Sequence, residues 1–329
     1  MNYSGSSLQK AFKDLQSKIL NFQSFDNALG GICEKYWLIS KNKRYLFKFP
    51  DRFLNSKEPK FDYSDFGEVF TSYLSYYLGF KCVKSVFYQG VFDDKSWGTL
   101  VEDFRNKNVV ETVSLRLLKE KYKYDKVKYS CDAVFRICKF FAEDNNLKID
   151  ENLEQELKEM ALMDYLLIQT DRHASNIEFL IEKNKMGEKV LKLAPMFDNG
   201  FCLFLNYSEK DIALINSSLK TGNNYYSNGV LEKTRFYIAG KNKTRSSEED
   251  YIVENLALEI LRNKKLELLY DKFKELDFEA EINFICSIYK RKLPEIFKET
   301  LLLGVKDRVK QLDLEICKQS MKYAKEREE

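Results

Sequence analysis

Two short stretches of the sequence carry the residue types that could do chemistry. The first, TDRHASNIEF, contains the only histidine of the 329-residue chain together with Asp171 and Asn176, and the second, LAPMFDNG, contains Asp198. Carboxylate and carboxamide oxygens suit a hard cation, and Mg²⁺ is typically held by one or two carboxylates that leave positions for phosphate oxygens. These residue types therefore indicate a metal-assisted reaction at a phosphate group.

A predicted β-hairpin would bring these residues together. IEFLIE and KVLKLAP are predicted to be strands around a turn at residues 183–187. Asn176 immediately precedes the first strand and Asp198 follows the second, so antiparallel pairing places both at the same end. Asp171 lies five residues before Asn176, on the loop that enters the hairpin. Convergence at one rim is the arrangement used for phosphoryl transfer in protein kinases.

The elements before residue 104 are predicted to be mostly strands. KYWLI and RYLFKFP form a hairpin around residues 41–43, and KSVFYQGVF and WGTLVEDF predict two further strands. An amphipathic helix is predicted from residue 66 to 78, between the two pairs of strands. In RYLFKFP the aromatic residues alternate onto one face, so Lys48 projects from the other face.

The remainder of the chain is predicted to be mainly helical from about Val110. A helix from Leu153 to Gln169 leads directly into the first motif, and helices are again expected from Tyr251 onward. The Ser/Asn/Lys-rich segment 206–250 predicts a loop with little regular structure.

These elements together predict an α+β fold with two lobes. A β-rich N-terminal lobe would occupy residues 1–103 and a mainly α-helical C-terminal lobe residues 104–329. The two lobes would be joined near Val101 to Phe104.

The composition excludes several classes of protein. Hydrophobic residues make up 44% of the chain, with 25 Phe and 20 Tyr, which is too apolar and aromatic for a disordered protein. Fifty-four Lys and Arg residues alternate with 51 Asp and Glu residues, so independent binding of nucleic acid through bulk charge is not expected. The seven cysteines include no CxxC pair and are expected to be reduced.

The sequence also gives an expectation for location. No stretch has the apolar segment of a signal peptide, and no apolar run approaches the ~18 residues of a transmembrane helix. We expect a cytoplasmic protein, or one that is secreted without a classical signal peptide.

TDRHASNIEF and LAPMFDNG together resemble the HipA-like serine/threonine kinases, which have a D-R-H-x-x-N catalytic loop and a metal-binding aspartate in an A-P-x-Y/F-D-N-G context. The resemblance implies a two-lobed protein-kinase-like fold, similar to the C-terminal part of HipA. It implies that Asp171 is the catalytic base, that Asn176 and Asp198 bind Mg²⁺, and that Lys48 contacts the phosphates of ATP. Glu68 would pair with Lys48, although its position opposite the apolar stripe of the helix equally permits exposure to solvent.

The resemblance also places the nucleotide. DNALGGICEKYW would be the phosphate loop, in which Gly30 and Gly31 let backbone amides approach phosphates and Lys35 adds charge. This segment lacks the G-x-G-x-x-G pattern of protein kinases. The adenine would lie against the linker, where backbone groups near Leu100 to Asp103, Glu102 and Asp103 among them, would contact its edge.

The expected function is an ATP- and Mg²⁺-dependent kinase of serine and threonine hydroxyls on proteins, the chain itself included. The resemblance adds the alternative that the protein is a bacterial effector acting in a host cell. A phosphoinositide-type lipid kinase remains open, because those enzymes also use D-R-H-x-x-N, as does a non-catalytic kinase-like binding module. Arg172 is expected either to anchor the catalytic loop or to lie at the surface, and His173 to structure the loop.

Overall fold

The computed structural model of the protein contains two main β-sheets flanked by helices. It describes residues 9, 24–27, 33–41, 43–53, 63–91, 97–105, 107–124, 129–222, 236–237 and 248–326. A five-stranded sheet comprises β1 (Ser24–Asn27), β2 (Cys33–Ser40), β3 (Lys43–Phe53), β4 (Ser85–Gln89) and β5 (Trp97–Glu102). Its strands are antiparallel, in the order β1-β2-β3-β5-β4. The strands predicted for this half of the fold are confirmed.

Strand β3 shows why these residues form a sheet. The side chains of Phe47 and Phe49 are buried and meet edge to face, with ring centroids 4.9 Å apart. Because side chains alternate across a strand, Lys48 projects from the opposite face. Lys41, in the predicted turn between β2 and β3, adopts a φ of +48°. Packing of the aromatic face therefore sets the direction of Lys48.

Helix α1 (Ser64–Leu78) packs on this sheet and confirms the helix predicted from residue 66 to 78. It ends at Gly79, which has a φ of +87° and donates its amide hydrogen to the carbonyl oxygen of Ser75. The left-handed conformation explains why the helix stops at a glycine. Both the apolar stripe and the polar side of the helix are buried: Phe66, Val69, Phe70, Tyr73 and Leu74 on one, Glu68, Thr71 and Ser72 on the other.

Helices surround a second, four-stranded sheet in the rest of the fold. The sheet comprises β6 (Val109–Ser114), β8 (Lys148–Ile149), β9 (Glu178–Lys183) and β10 (Lys189–Leu193), in the order β6-β9-β10-β8. A short strand β7 (Tyr129–Ser130) pairs with β11 (Phe236–Tyr237). The helices are α2 (Leu115–Lys121), α3 (Cys131–Asp144), α4 (Leu153–Leu166), α5 (Glu209–Thr221), α6 (Glu248–Arg262), α7 (Lys264–Lys274), α8 (Phe278–Ile288) and α9 (Glu295–Glu326). Within the described ranges, none of them is both long and apolar enough to cross a membrane.

The prediction that the chain turns helical at Val110 is wrong. Strand β6 occupies residues 109–114 and pairs antiparallel with β9. The β-branched residues of VVETVS favour a strand once a neighbouring strand offers hydrogen-bond partners. The helical region begins immediately afterwards, at Leu115.

The prediction of a loop over residues 206–250 is also wrong, because α5 occupies part of this segment. The helix begins after Ser208, whose side chain accepts the amide hydrogen of Asp211 at 3.2 Å. Ile212 and Ile215 are buried, and the helix packs against α9. A capping serine and two apolar residues one turn apart suffice for a helix when a neighbouring helix covers that face.

The hairpin of β9 and β10 confirms the predicted pair of strands. Its register pairs Phe179 with Leu193 and Lys183 with Lys189. Gly187 lies in the turn with a φ of +81°. The chain therefore enters β9 and leaves β10 at the same end of the sheet.

Helix α9 approaches the centre of the C-terminal part through a glycine. A Cβ atom on Gly304 would lie 2.6 Å from the ring of Phe204 and 3.0 Å from Ile168. Phe204 and Ile168 are themselves buried in the core. The contact therefore requires the absence of a side chain at position 304.

Gly304→Ala is expected to destabilise the protein, although alanine is ordinarily the better helix former. Overpacking of this kind lowers the free energy of unfolding by roughly 1–3 kcal/mol, which exceeds the ~1 kcal/mol gained from helix propensity. Urea denaturation followed by circular dichroism measures the change. Lys306→Ala, on an exposed position of the same helix, is the control. A Gly304→Ala variant as stable as the wild type would contradict this packing.

Candidate active site

A cavity between the two halves of the fold is lined by five of the eight predicted site residues that the structure describes. It has a volume of about 180 Å³. A larger cavity, of about 610 Å³, lies among α7, α8 and α9 and contains none of the predicted residues. The lining of the smaller cavity includes Lys35, Lys48, Glu68, Asp171, His173 and Asp198.

Lys48 lies at the centre of the charged groups in this cavity. Its Nζ is 2.5 Å from Glu68 Oε1 and 2.7 Å from Asp198 Oδ1. The side chain of Glu68 is 5% exposed, that of Lys48 18% and that of Asp198 48%. Of the two positions that the sequence left open for Glu68, the structure therefore has the buried ion pair.

Lys48 and Asp198 control each other's protonation. Burial alone would lower the pKa of Lys48, but the carboxylates of Asp198 and Glu68 outweigh burial and raise it above the ordinary value. Lys48 in turn lowers the pKa of Asp198 to about 2, against the opposing effect of burial. Lys48 therefore stays a cation, and Asp198 stays an ionised carboxylate, throughout the physiological pH range.

Two glycines let α1 approach the chain that follows Asp198. A Cβ atom on Gly67 would lie 2.7 Å from the carbonyl oxygen of Gly200, and one on Gly200 would lie 2.8 Å from the Cβ of Ser64. Real Cβ atoms do not come this close to other atoms, so a larger residue would push the two segments apart. Glu68, the neighbour of Gly67, depends on this close contact for its position.

The backbone at Asp198 turns sharply. Its φ is +56°, a left-handed conformation that aspartate tolerates better than most residues. Just before it, Met196 donates its amide hydrogen to the carbonyl of Lys81 at 3.0 Å and accepts that of Val83 at 2.9 Å. Gln169 Nε2 donates to the carbonyl oxygen of Asp198 at 3.5 Å. These bonds fix the second motif to both halves of the fold.

The loop that carries Asp171 is closed by its own hydrogen bonds. Gln169 Oε1 accepts the amide hydrogen of Asp171 at 3.0 Å, and Asn176 Nδ2 donates to the carbonyl oxygen of Asp171 at 2.9 Å. A short 3-10 turn over Ala174–Asn176 completes the loop. The main chain of Asp171 is therefore held on both sides.

His173 caps this turn. Its Nδ1 accepts the amide hydrogen of Ser175 at 3.2 Å. The other ring nitrogen, Nε2, lies 3.9 Å from Asp171 Oδ2. His173 therefore structures the loop, as the sequence analysis expected.

Arg172 is fully buried and binds four groups of the protein. Its Nε and Nη2 donate to the two carboxylate oxygens of Asp164 at 3.0 and 3.1 Å. Nη1 donates to the carbonyl oxygens of Phe197 at 2.7 Å and Asn176 at 3.3 Å, and Nη2 also donates to Asn199 Oδ1 at 2.6 Å. The guanidinium joins α4, the loop at residues 171–176 and the segment after β10. Arg172 is thus an anchor of the loop and not a surface residue.

Three buried polar residues of this network were not predicted: Asp164, Gln169 and Asn199. Asp164 lies in the apolar run MALMDYLLI of α4, and a carboxylate in such a run indicates a buried charged partner. Gln169 directly precedes the first motif, and Asn199 lies within the second. Their roles depend on contacts between segments distant in sequence, which a local pattern does not reveal.

The structure describes only some of the residues that were expected to bind the nucleotide. Gly30 and Gly31 lie outside the described residues. Lys35 lines the cavity, on the strand next to Lys48.

Glu102 and Asp103 do not appear among the described lining residues of the cavity. The amide of Glu102 donates to the carbonyl of Lys84, and that of Asp103 to the carbonyl of Arg44, both at 2.9 Å. These two amide hydrogens are therefore already used within the protein. The expectation that backbone groups of Glu102 and Asp103 contact adenine stays a prediction.

Asp198 and Asn176 carry oxygen atoms of the kind that bind divalent cations. The Asp198 carboxylate is half exposed in the cavity. Asn176 is buried and is not among the described lining residues, and its Nδ2 is bonded to the Asp171 carbonyl. Its Oδ1 is consequently the atom that can face a cation. A carboxylate and a carboxamide oxygen are ligands that Mg²⁺ accepts.

Solved structures share this fold. The crystal structure of CtkA, a proinflammatory kinase of Helicobacter pylori, aligns with 91% of this chain and 95% of its own, with a TM-score of 0.57 and 20% sequence identity. HipA of the Shewanella oneidensis toxin–antitoxin system, solved with HipB and operator DNA, aligns with 94% of this chain and 72% of its own at a TM-score of 0.39 and 13% identity. No family model and no curated protein matches the chain. The likeness to the Helicobacter structure confirms the predicted kinase-like α+β fold.

Arg172→Met is expected to lower the free energy of unfolding by roughly 3–5 kcal/mol, because it leaves the buried carboxylate of Asp164 without its cation. Chemical denaturation measures the loss. Arg116→Met, which breaks the exposed pair with Glu120, is the control and should change stability by less than about 1 kcal/mol. Asp164→Leu added to Arg172→Met should recover part of the loss. A double variant less stable than Arg172→Met would contradict the assignment to an unpaired charge.

The ionisation of Asp198 gives a second prediction. Lys48→Met removes the main cause of the low pKa, so the pKa of Asp198 should rise from about 2 in the wild type to at least its ordinary value near ~4. The folded pKa of the wild type lies below the unfolded one. The stabilisation from this group is therefore complete above about pH 4 and is lost as the pH falls towards 2. Carboxyl ¹³C NMR titration of both proteins measures the shift; equal pKa values would contradict the ion pair.

Proposed function

We propose that the protein is a kinase, which transfers the γ-phosphoryl group of ATP to serine or threonine hydroxyls of proteins with the help of Mg²⁺. The observation that carries the proposal is the position of Lys48, which bonds Glu68 and Asp198 in a cavity that Asp171 also lines. Phosphoryl transfer depends mainly on positioning and on neutralising phosphate charge. A permanently charged lysine between two carboxylates suits this task.

Lys48 would bind the phosphates of ATP. An ammonium group has three N–H donors, and two of them are used by Glu68 and Asp198. The third is left for a phosphate oxygen. Glu68 would hold the lysine side chain along the cavity. The Glu68 carboxylate is itself buried on α1, so it would keep its position if the lysine side chain moved.

Asp171 would accept the proton of the substrate hydroxyl as it attacks. Its side chain is 35% exposed and lines the cavity, so a substrate can reach it. Gln169 and Asn176 fix its main chain on both sides. A base held in this way contributes typically about 10²–10⁴-fold to the rate.

Asn176 and Asp198 would hold Mg²⁺ through Asn176 Oδ1 and the Asp198 carboxylate. When bound, the ion would neutralise charge on the phosphates. Arg172 supports these two residues, because its Nη1 bonds the carbonyl oxygens of Asn176 and Phe197, the residue before Asp198. The spacing of the two ligands would therefore be fixed before a cation arrives.

Protein hydroxyls are the proposed acceptor in place of a lipid headgroup, since APMFDNG differs from the I-D-F-G context of phosphoinositide-type kinases. The chain itself is included among the substrates. Ser217 and Thr221 are exposed on α5, whereas Ser218 is buried and inaccessible. The likeness in fold to a proinflammatory kinase supports including host proteins as possible targets.

Incubation of the purified protein with Mg·ATP should add phosphate, detected as steps in intact mass. Asp171→Asn and Asp198→Asn should each lower the rate by about a hundredfold or more, since they remove the base and a metal ligand. Asp132→Asn, at an exposed position of α3, is the matched control and should behave as the wild type.

Two further comparisons test the metal ligand and the acceptor separately. Incorporation by Asp198→Asn at the wild-type rate would contradict the metal assignment. A generic protein substrate and phosphoinositide vesicles, offered separately, distinguish the acceptors: phosphate on the lipid and none on any protein would overturn the proposed substrate class.

A further inference from the structure

The N-terminal end of α1 is held by the connector between α8 and α9. Tyr289, in this connector, donates its hydroxyl hydrogen to Asp65 Oδ1 at 2.8 Å, and Arg291 Nη1 lies 3.3 Å from the same oxygen. The side chain of Asp65 is only 2% exposed. Burial, and then the Asp65 carboxylate, raise the pKa of the Tyr289 hydroxyl, so it remains a proton donor. One oxygen of a buried carboxylate on α1 is thus bonded by residues that lie more than 200 positions later in the chain.

The ring of Tyr289 adds apolar contacts on the same side. Its centroid lies 5.4 Å from that of Phe66 on α1 and 4.9 Å from that of Phe87 on β4. Aromatic pairs at these distances stabilise beyond the area that they bury. The connector therefore packs on α1 and on the sheet beneath it.

A second contact holds the middle of α1. The hydroxyl of Tyr73 donates to the buried carboxylate of Glu281 on α8. The Tyr73 ring also packs against Phe284 of α8, with centroids 5.3 Å apart. Helix α8 and the connector therefore contact α1 at two points, which lie two helical turns apart.

Glu68 lies between these two points, three residues after Asp65 and five before Tyr73. A helix is stiff over this length, so a movement that withdraws Glu68 from Lys48 has to break one or both tyrosine contacts. Glu68 itself supplies a single hydrogen bond to Lys48. Its position is therefore set by contacts elsewhere on the helix.

We propose that Tyr289, with Tyr73, is a positioning residue: the α8–α9 segment clasps α1 and thereby holds Glu68 against Lys48 in the conformation that transfers phosphate. The inference rests on the proposed kinase function for its catalytic consequence, but the clasp itself is a property of the fold. The ion pair would accordingly be held in place by the C-terminal helices, without a partner protein.

The test compares Tyr289→Phe with Tyr270→Phe. Both variants keep the ring and lose a tyrosine–aspartate hydrogen bond. Asp313, the aspartate that Tyr270 bonds, is half exposed, and the Tyr270 hydroxyl also donates to the carbonyl oxygen of Val309, so both of its partners lie on α9 and not on α1. Tyr289→Phe should lower kcat about five- to tenfold, the loss expected when a hydrogen bond of typical strength supports only the active conformation, because Arg291 still pairs with the Asp65 carboxylate in the variant. Tyr270→Phe should retain the wild-type kcat. Equal effects of the two variants on kcat would overturn the proposal.

A double variant separates positioning from general destabilisation. If the clasp acts through Glu68, Tyr289→Phe should lower kcat no further in a Glu68→Gln background, since the interaction that it supports is already gone. An undiminished five- to tenfold loss in that background would overturn the proposal.

Hydrogen exchange tests the clasp without relying on catalysis. The amide hydrogens of α1 should exchange faster in Tyr289→Phe than in the wild type. In Tyr270→Phe they should exchange at the wild-type rate. If the wild type transfers no phosphate, the proposed function is wrong. The exchange rates still show whether the α8–α9 segment holds α1 in place. Unchanged exchange in α1 of Tyr289→Phe would overturn the clasp.

Discussion

A guanidinium enclosed in protein has to find its hydrogen-bond acceptors there, and this constraint on Arg172 organises the site. Its acceptors come from Asp164 on α4, the loop ending at Asn176, and the segment with Phe197 and Asn199. Moving any one of these segments would leave part of a buried charge without a partner, at a cost of several kcal/mol. The relative position of the two motifs is thereby fixed by one residue that never reaches the cavity.

The second charged cluster faces the cavity and has the opposite character. Lys48 is shared between a buried carboxylate, Glu68, and a half-exposed one, Asp198. The low pKa of Asp198 is caused first by Lys48 and to a smaller extent by nearby Lys35 and Arg172, so the two clusters act on the same carboxylate. The cavity is also lined by Asp171 and Lys35, so three carboxylates, those of Glu68, Asp171 and Asp198, face two lysines, and this excess of negative charge favours a further cation beside Asp198. The buried cluster around Arg172 holds the two motifs in place. A ligand would bind at the cluster around Lys48, which faces the cavity.

How far the sequence predicted this structure depends on whether a feature is local. The hairpin of β9 and β10 and helix α1 follow from residue patterns within a dozen positions, and both were predicted. Strand β6 was not, because VVETVS becomes a strand only by pairing with β9, far along the chain. The sequence motifs predicted residues that line the cavity. The contacts that support these residues, from Gln169 and from the α8–α9 clasp, form between distant segments and were not predicted. The use of the Glu102 and Asp103 amides within the protein was hidden for the same reason.

The central claim is that Asp198 and Asn176 hold a divalent cation beside a nucleotide that Lys48 contacts. A crystal structure of the protein with Mn²⁺ and a non-hydrolysable ATP analogue tests it most directly, because the metal is located by its anomalous scattering. We expect an anomalous peak at coordination distance, about 2.0–2.3 Å, from the Asp198 carboxylate and Asn176 Oδ1, with phosphate oxygens beside Lys48. A nucleotide bound elsewhere, or a metal that leaves Asp198 uncoordinated, would contradict the account.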